Sequence, residues 1–329
     1  MTAASERSRE IAPGVHRIVY PVGQRLNSSY LLIGDRASVL FDLGTRGDVS
    51  QHVLPYLQEL GLAPDRLSLA IISHGDVDHF GGAAELSRLV PGCVLACGSG
   101  DHDLVRDPEL VVRGRYNELV DDGLGESAEF NAWCADVAEA APVGLTLTGG
   151  EQVWLDADRR VEVLALPGHS LGHLGLWLPD ARTVVIGDAA LGRAVPLADG
   201  SIAFPPTYRH VAAYREAIAR LRALEPQIVA TAHYPLLSHE QAEEFLRSSR
   251  EFTDELEREL LAELHRAEEP VPLRGLAGRL ADRFGPWPTD VRAAMGQPVI
   301  GHLEDLEHRG QVTAIRTGAE RRWSSSGSE

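Results

Sequence analysis

Hydrophobic and polar positions change rhythm several times along this chain, and each change predicts an element. From His16 to Gly44, "HRIVYPVG", "SSYLLIGD" and "ASVLFDLG" are rich in β-formers and separated by turn residues, which predicts three short strands. "DVSQHVLPYLQELG" then places apolar residues at helical spacing, with an aspartate near its start and Gly61 at its end. "LSLAIIS" (Leu67–Ser73) is a continuous apolar run, the pattern of a strand buried on both faces, and "GGAAELSRLV" reads as a helix. Residues 98–142 are polar and irregular, helical in pieces. "VGLTLTGG", "EQVWLDA", "RVEVLALPG", "LGLWLP" and "TVVIGD" predict a second run of strands. "YRHVAAYREAIARLRALEP" is a helix, and "QIVATAH" is another buried strand. This order fits an α/β fold of two sheets sandwiched between helices.

Past Ser238 the character changes. "HEQAEEFLRSSREFTDELERELLAELHRAEEP" is one long helix with a solvated, mixed-charge face. "LRGLAGRLADRFG" and "DVRAAMGQPVIGHLEDLEHRG" predict two shorter helices, and "QVTAIRTGAERRW" predicts a hairpin. Helix, helix and β-wing is a winged-helix pattern. The expected division is a catalytic domain over 1–265 and a small winged-helix-like domain over 266–329.

Composition narrows the function classes. The 329 residues carry a formal net charge of −17, and all 31 basic side chains are arginines. Such a surface repels phosphate backbones and anionic membranes, so nucleic-acid and membrane partners are not expected. Arginine without lysine, beside abundant alanine and glycine, is the composition of a GC-rich bacterial genome. No window approaches the roughly 18 consecutive apolar residues that span a membrane. The opening "MTAASERSRE" has no apolar stretch of a secretory leader. Cys93, Cys97 and Cys134 form no CxxC pair. These features predict a cytoplasmic protein with unpaired thiols.

The candidate chemistry starts at "SHGDVDHFGG", Ser73–Gly82, directly after an apolar run. His74 and Asp76 alternate, so on an extended segment they share a side. Asp78 and His79 sit where the chain turns into a helix. Imidazole nitrogens and carboxylate oxygens hold borderline and hard divalent metals. Other predicted strand ends add the same residue types: Asp42 in "LFDLG", His169 and His173 in "LPGHSLGH", Asp188 in "VVIGDA" and His233 in "ATAHYP".

These motifs in this order resemble the metallo-β-lactamase-fold hydrolases, the superfamily that includes hydroxyacylglutathione hydrolases and lactonases. The resemblance covers about Pro13 to Leu237. It implies an αββα sandwich with a dinuclear metal site along one edge. It also implies one metal on His74, Asp76 and His169, a second on Asp78, His79 and His233, and Asp188 bridging them. Asp42 would orient the ligand loop, and His173 would support the site without ligating. The implied reaction is hydrolysis by a metal-bridging water, with Asp78 orienting the nucleophile or relaying its proton.

Asp76 is the departure, because most of the family has HxHxDH where this chain has HxDxDH. Similar motifs occur in metallo-β-lactamase domains of bacterial DNA-uptake proteins, and flavodiiron proteins carry a glutamate there. The extra carboxylate makes the site about one unit less positive and shifts preference from zinc towards manganese or iron. Zinc remains the expected metal. The expected substrate is a small acyl compound: a lactone, thioester or ester. A phosphodiesterase or nuclease and an iron-dependent oxidoreductase are the alternatives. Arg193, Tyr208 and Arg209, in the Gly- and Pro-containing stretch after Asp188, and Tyr234 after the last ligand, are the candidate substrate contacts. The C-terminal appendage is expected to pack, line the pocket or form a homodimer rather than bind nucleic acid.

Overall fold

The computed structural model describes residues 7–318 and 320–326. The first sheet has seven strands in chain order: β1 (Arg9–Ala12), β2 (Val15–Val22), β3 (Arg25–Ile33), β4 (Ser38–Phe41), β5 (Leu67–Ile72), β6 (Val94–Gly98) and β7 (Leu145–Leu147). It is antiparallel from β1 to β4 and parallel from β4 to β7. The second sheet uses β8 (Gln152–Trp154), β9 (Arg160–Ala165), β10 (Leu174–Leu178) and β11 (Thr183–Gly187). A short hairpin, β12 (Val195–Pro196) with β13 (Ile202–Phe204), stands apart. β14 (Ile228–Thr231) and β15 (Leu237–Ser238) complete the second sheet in the order β15-β14-β11-β10-β9-β8.

Alternation along the strands sorts side chains into layers. Val39 and Phe41 of β4, Ile71 of β5 and Ala96 of β6 meet Val163, Leu176 and Val185 of the second sheet. Their neighbours Leu40, Ala70, Ile72 and Leu95 point the other way, onto Val53, Leu57 and Leu86 of the flanking helices. Val184, Ile186 and Val229 face outward onto Tyr214, Ile218 and Leu221 of the helix Val211–Ala223. The four layers are therefore helix, sheet, sheet, helix, as the sequence pattern predicts. β5 begins with an exposed Ser68 and a half-buried Leu69 and becomes covered on both faces at Ala70–Ile72, where no polar side chain remains. Leu40 is fully buried between layers. Truncating it to alanine is worth roughly 2–5 kcal/mol.

The long helix His239–Arg266 opens with a capping box on Ser238 and Gln241. Its apolar face, Leu246, Phe252, Leu256, Leu260 and Leu264, joins Leu276, Leu280, Val299, Ile300 and Trp323 in one core with the outer face of the second sheet. The chain then adds β16 (Val271–Pro272), the helices Leu273–Phe284 and Gly296–His308, and the hairpin β17 (Val312–Thr317) and β18 (Glu320–Ser325). These strands make a small sheet ordered β16-β18-β17. Among the described residues, no helix is long and apolar enough to cross a membrane. Cys93, Cys97 and Cys134 are buried and free. Burial pushes their thiols up, to about 11 for Cys93 and about 12 for Cys97 and Cys134. They therefore stay protonated and unreactive at neutral pH.

Candidate metal centre

The site gathers at the ends of six strands. β4 ends at Phe41, and Asp42 follows at φ 62°, a left-handed conformation uncommon for a residue other than glycine. That turn lets its carboxylate accept the Ser73 amide at 2.7 Å and the Ser73 hydroxyl at 2.9 Å. β5 ends at Ile72 and delivers the motif loop, and the short helix Val77–Phe80 carries Asp78 and His79. β9 leads to His169, β10 begins just after His173, β11 leads to Asp188 and β14 to His233. Asp101 ties two of these loops together. Its carboxylate accepts the Gly75 amide at 3.0 Å, the Ser170 hydroxyl at 2.5 Å and the Gly172 amide at 2.8 Å.

Four imidazoles are held in one tautomer by partners on their outer nitrogens. His79 Nδ1 donates to Asp42 Oδ2 at 2.8 Å. His169 Nδ1 donates to the Thr207 carbonyl at 2.9 Å, and His233 Nδ1 to the Leu26 carbonyl at 3.0 Å. Ser73 spends its only proton on Asp42, so its hydroxyl accepts from His74 Nδ1 at 2.8 Å. All four Nε2 atoms are thereby left as lone pairs on the inner side, as metal-ligating histidines require. His173 differs: its Nε2 accepts the Asp188 amide at 3.2 Å, and its ring stacks on His74 with centroids 4.8 Å apart. It supports two site residues and points no free lone pair inward.

Two groups of ligand atoms result: His74, His169 and Asp188, and Asp78, His79 and His233. In the second, His79 Nε2 lies 3.8 Å from Asp78 Oδ1 and 3.7 Å from Asp188 Oδ2, and His233 Nε2 lies 3.3 Å from Asp188 Oδ2. These spacings are near the roughly 3.3 Å edge of a tetrahedron around an ion with ligands at about 2.0–2.1 Å. Among the described residues, buried His79 Nε2 and Asp188 Oδ1 have no hydrogen-bond partner. Orphaned buried polar atoms are costly unless something else completes them, and a divalent cation would do so here. The field agrees. Burial alone would lower the His79 pKa, yet Asp42, Asp78 and Asp188 together hold it well above the ordinary histidine range. The same carboxylates, grouped around the Nε2 of His79, favour positive charge at that point.

The first group is completed differently. Asp76 lies beside it, with Oδ2 at 3.2 Å from His74 Nε2 and 2.8 Å from His169 Nε2. Arg115 grips the same carboxylate with two donors, Nε on Oδ1 and Nη2 on Oδ2, the latter at 2.9 Å. Burial would raise the Asp76 pKa, but the guanidinium outweighs it and holds the carboxyl well below the usual range. Arg115 sits on the irregular turn Val112–Tyr116, inside the stretch whose pattern is least readable in the sequence. Arg25 is also absent from the sequence expectations, and it donates to Asp78 Oδ2 at 3.2 Å while lying over the Phe204 ring.

A cavity of about 200 Å³ opens onto the site. Asp76, Asp78, His169, Asp188 and His233 form its polar floor. Leu119, Leu124, Phe130, Trp133 and Phe204 supply apolar walls, and Val291 and Gln297 reach in from the C-terminal segment. Arg193, Tyr208, Arg209 and Tyr234 are not among the lining residues. Arg193 pairs with Glu255, and Arg209 bridges Glu118 and Glu304. Tyr208 is buried against His302 at 2.9 Å, and the Tyr234 hydroxyl donates to the carbonyls of Leu191 and Ala194.

A four-layer sandwich with imidazoles and carboxylates converging at one sheet edge defines a class of metal-site proteins, and sequence comparison narrows it. The chain belongs to the metallo-beta-lactamase superfamily, whose family model matches residues 22–233. It is 28% identical over 169 residues to the probable metallo-hydrolase YqgX of Bacillus subtilis (strain 168), covering 51% of this chain and 68% of that protein. It is 24% identical over 242 residues to the metallo-beta-lactamase fold-containing protein ST1585 of Sulfurisphaera tokodaii, covering 71% and 83%. The crystal structure of the metallo-beta-lactamase family protein TTHA1429 from Thermus thermophilus superposes with a TM-score of 0.74 at 21% identity. That match covers 96% of this chain and 100% of the other, and it is a likeness of fold.

Proposed function

We propose that this protein is a cytoplasmic metal-dependent hydrolase of a small acyl substrate: a lactone, thioester or ester. One observation carries the reading. Two groups of imidazoles and carboxylates, His74, His169 and Asp188, and Asp78, His79 and His233, lie together beneath a cavity whose floor shows Asp78, His169, Asp188 and His233 and whose walls are apolar. Asp78, His79, His233 and Asp188 would hold zinc, with manganese or iron as the other metals suited to so carboxylate-rich a donor set. A bound ion supplies Lewis acidity, polarising the scissile carbonyl and acidifying the attacking water.

The chain supplies the rest. Asp42 and the Leu26 carbonyl fix the rings of His79 and His233. Arg25 steadies Asp78 Oδ2 and so fixes Oδ1 towards His79 and the ion position, where this carboxylate would orient a bound water. Phe130, Trp133, Leu119 and Leu124 would bury the acyl group and exclude water. The walled cavity, with both of its arginines engaged by aspartates, favours a small apolar substrate over a nucleic-acid backbone. The buried free thiols are consistent with a reducing compartment.

The test is a panel of lactones, thioesters and esters assayed with protein as purified, after chelation, and after zinc is restored. Activity that disappears on chelation and returns with zinc is expected. Activity that survives complete removal of metal would sink the reading.

A further inference from the structure

We infer that Arg115 is the built-in cation of the first metal position, so that each chain takes up one divalent ion rather than two. The inference rests on the hydrolase reading of the same site. Each nitrogen of the Arg115 fork has a site partner. Nε and Nη2 engage both oxygens of Asp76, Nη2 also donates to His169 Nε2 at 2.8 Å, and Nη1 donates to the His169 carbonyl at 3.3 Å. The bond to His169 Nε2 uses the lone pair that an ion would need. The bidentate grip on Asp76 uses the carboxylate that replaces the family's usual histidine. An ion in the first position would keep only His74 and Asp188, short of the three protein ligands of an ordinary zinc site.

The guanidinium is held there by the fold. The Val77 amide donates to the hydroxyl of Tyr116, the next residue, at 3.1 Å, and Gln297 donates to the Arg115 carbonyl at 3.2 Å. Arg115 is thus clamped between the motif helix and the C-terminal segment. Its side chain is only 13% exposed, so the pair with Asp76 is largely shielded from water. Charge explains why the two residues belong together. Asp76 adds a carboxylate that would overload the site with negative charge, and a planar fork matches that carboxylate at two points. Arg115 also lines the cavity, so a substrate oxygen would meet a guanidinium where a second ion would otherwise stand.

The experiment is uptake of zinc by the full-length, metal-freed protein at several-fold molar excess, followed by removal of free zinc and elemental analysis. Wild type is expected to retain one zinc per chain and Arg115→Met two. Cobalt(II) titration, followed by absorbance, should show one saturable phase in wild type and a second in the variant. Two ions in wild type would overturn the inference while leaving the hydrolase reading intact. One ion in an Arg115→Met protein that melts cooperatively would overturn the role given to Arg115. No ion in wild type would sink the hydrolase reading together with this one. The wild-type count decides even if the variant does not fold.

Discussion

The two halves of the site start from the same loop and end with different partners. Around His79, the loop leaves buried polar atoms with nothing to satisfy them, and three carboxylates create a field that calls for a cation. Around Asp76, the same loop meets a guanidinium that satisfies the carboxylate and one neighbouring imidazole. A histidine-to-aspartate change is thus not simply a weaker ligand. It changes which cation completes the position, and a side chain of this chain is already in place. At His79 Nε2 the unpartnered acceptor faces carboxylates and leaves a place for an external ion, whereas at Asp76 the paired carboxylate meets charge that the protein supplies itself.

The largest effect should come from the unsatisfied half. His79→Ala removes a lone pair that nothing else replaces, and elemental analysis should show the ion lost and hydrolysis at background. Full activity in that variant would break the comparison outright. Asp42→Asn is next. Asparagine tolerates the left-handed backbone at this position, so the fold should survive. Its amide can keep one acceptor but not the three contacts now made with Ser73 and His79. Metal affinity, measured by competition with a chelator, should fall roughly 10–100-fold. Trp133→Ala should act on neither half. It shortens an apolar wall, so KM for acyl substrates should rise about tenfold with metal content unchanged.

These contrasts also show what could be read in advance. The layers were legible because sheet faces alternate and covered strands do not, as in Val184, Val185 and Ile186, which pack in turn on opposite sides. His74, Asp78, His79, His169, Asp188 and His233 were legible because they sit at predicted strand ends, where short loops aim side chains at one point. Arg115 was not. It lies 39 residues from Asp76 on a turn without periodicity, and only the tertiary fold brings it there. Arg193, Tyr208 and Arg209 lie in a stretch whose turn-rich composition signals a surface connection but not where its side chains point, and Tyr234 follows a ligand in sequence without lining the cavity. That stretch carries the hairpin β12–β13, and its residue on the cavity wall is Phe204. The reach of Val291 and Gln297 into the cavity had no sequence signal, since it depends on how the C-terminal helices dock.

The smallest effect on the site should come from an ion cluster that has nothing to do with metal. Glu257 lies on the long helix within 2.9 Å of Arg215 and Arg309, with His302 Nδ1 at 3.5 Å. His302 is the largest influence, and the arginines add to it against some loss from burial. The carboxyl is held well below the usual glutamate range. A lowered folded-state pKa means stability that is present above the unfolded value, about 4.3, and is lost as pH falls towards the folded one. Glu257→Gln should therefore lower the melting temperature at neutral pH by roughly 2–5 °C, a modest loss for a partly exposed cluster. The gap from wild type should narrow as pH falls below about 4.3, because the unfolded carboxyl then takes up a proton that the ion-paired native one does not. Zinc content should match wild type throughout. If Glu257→Gln instead changed the zinc count, metal occupancy would follow general stability, and the contrast between His79 and Asp76 would lose its local, electrostatic basis.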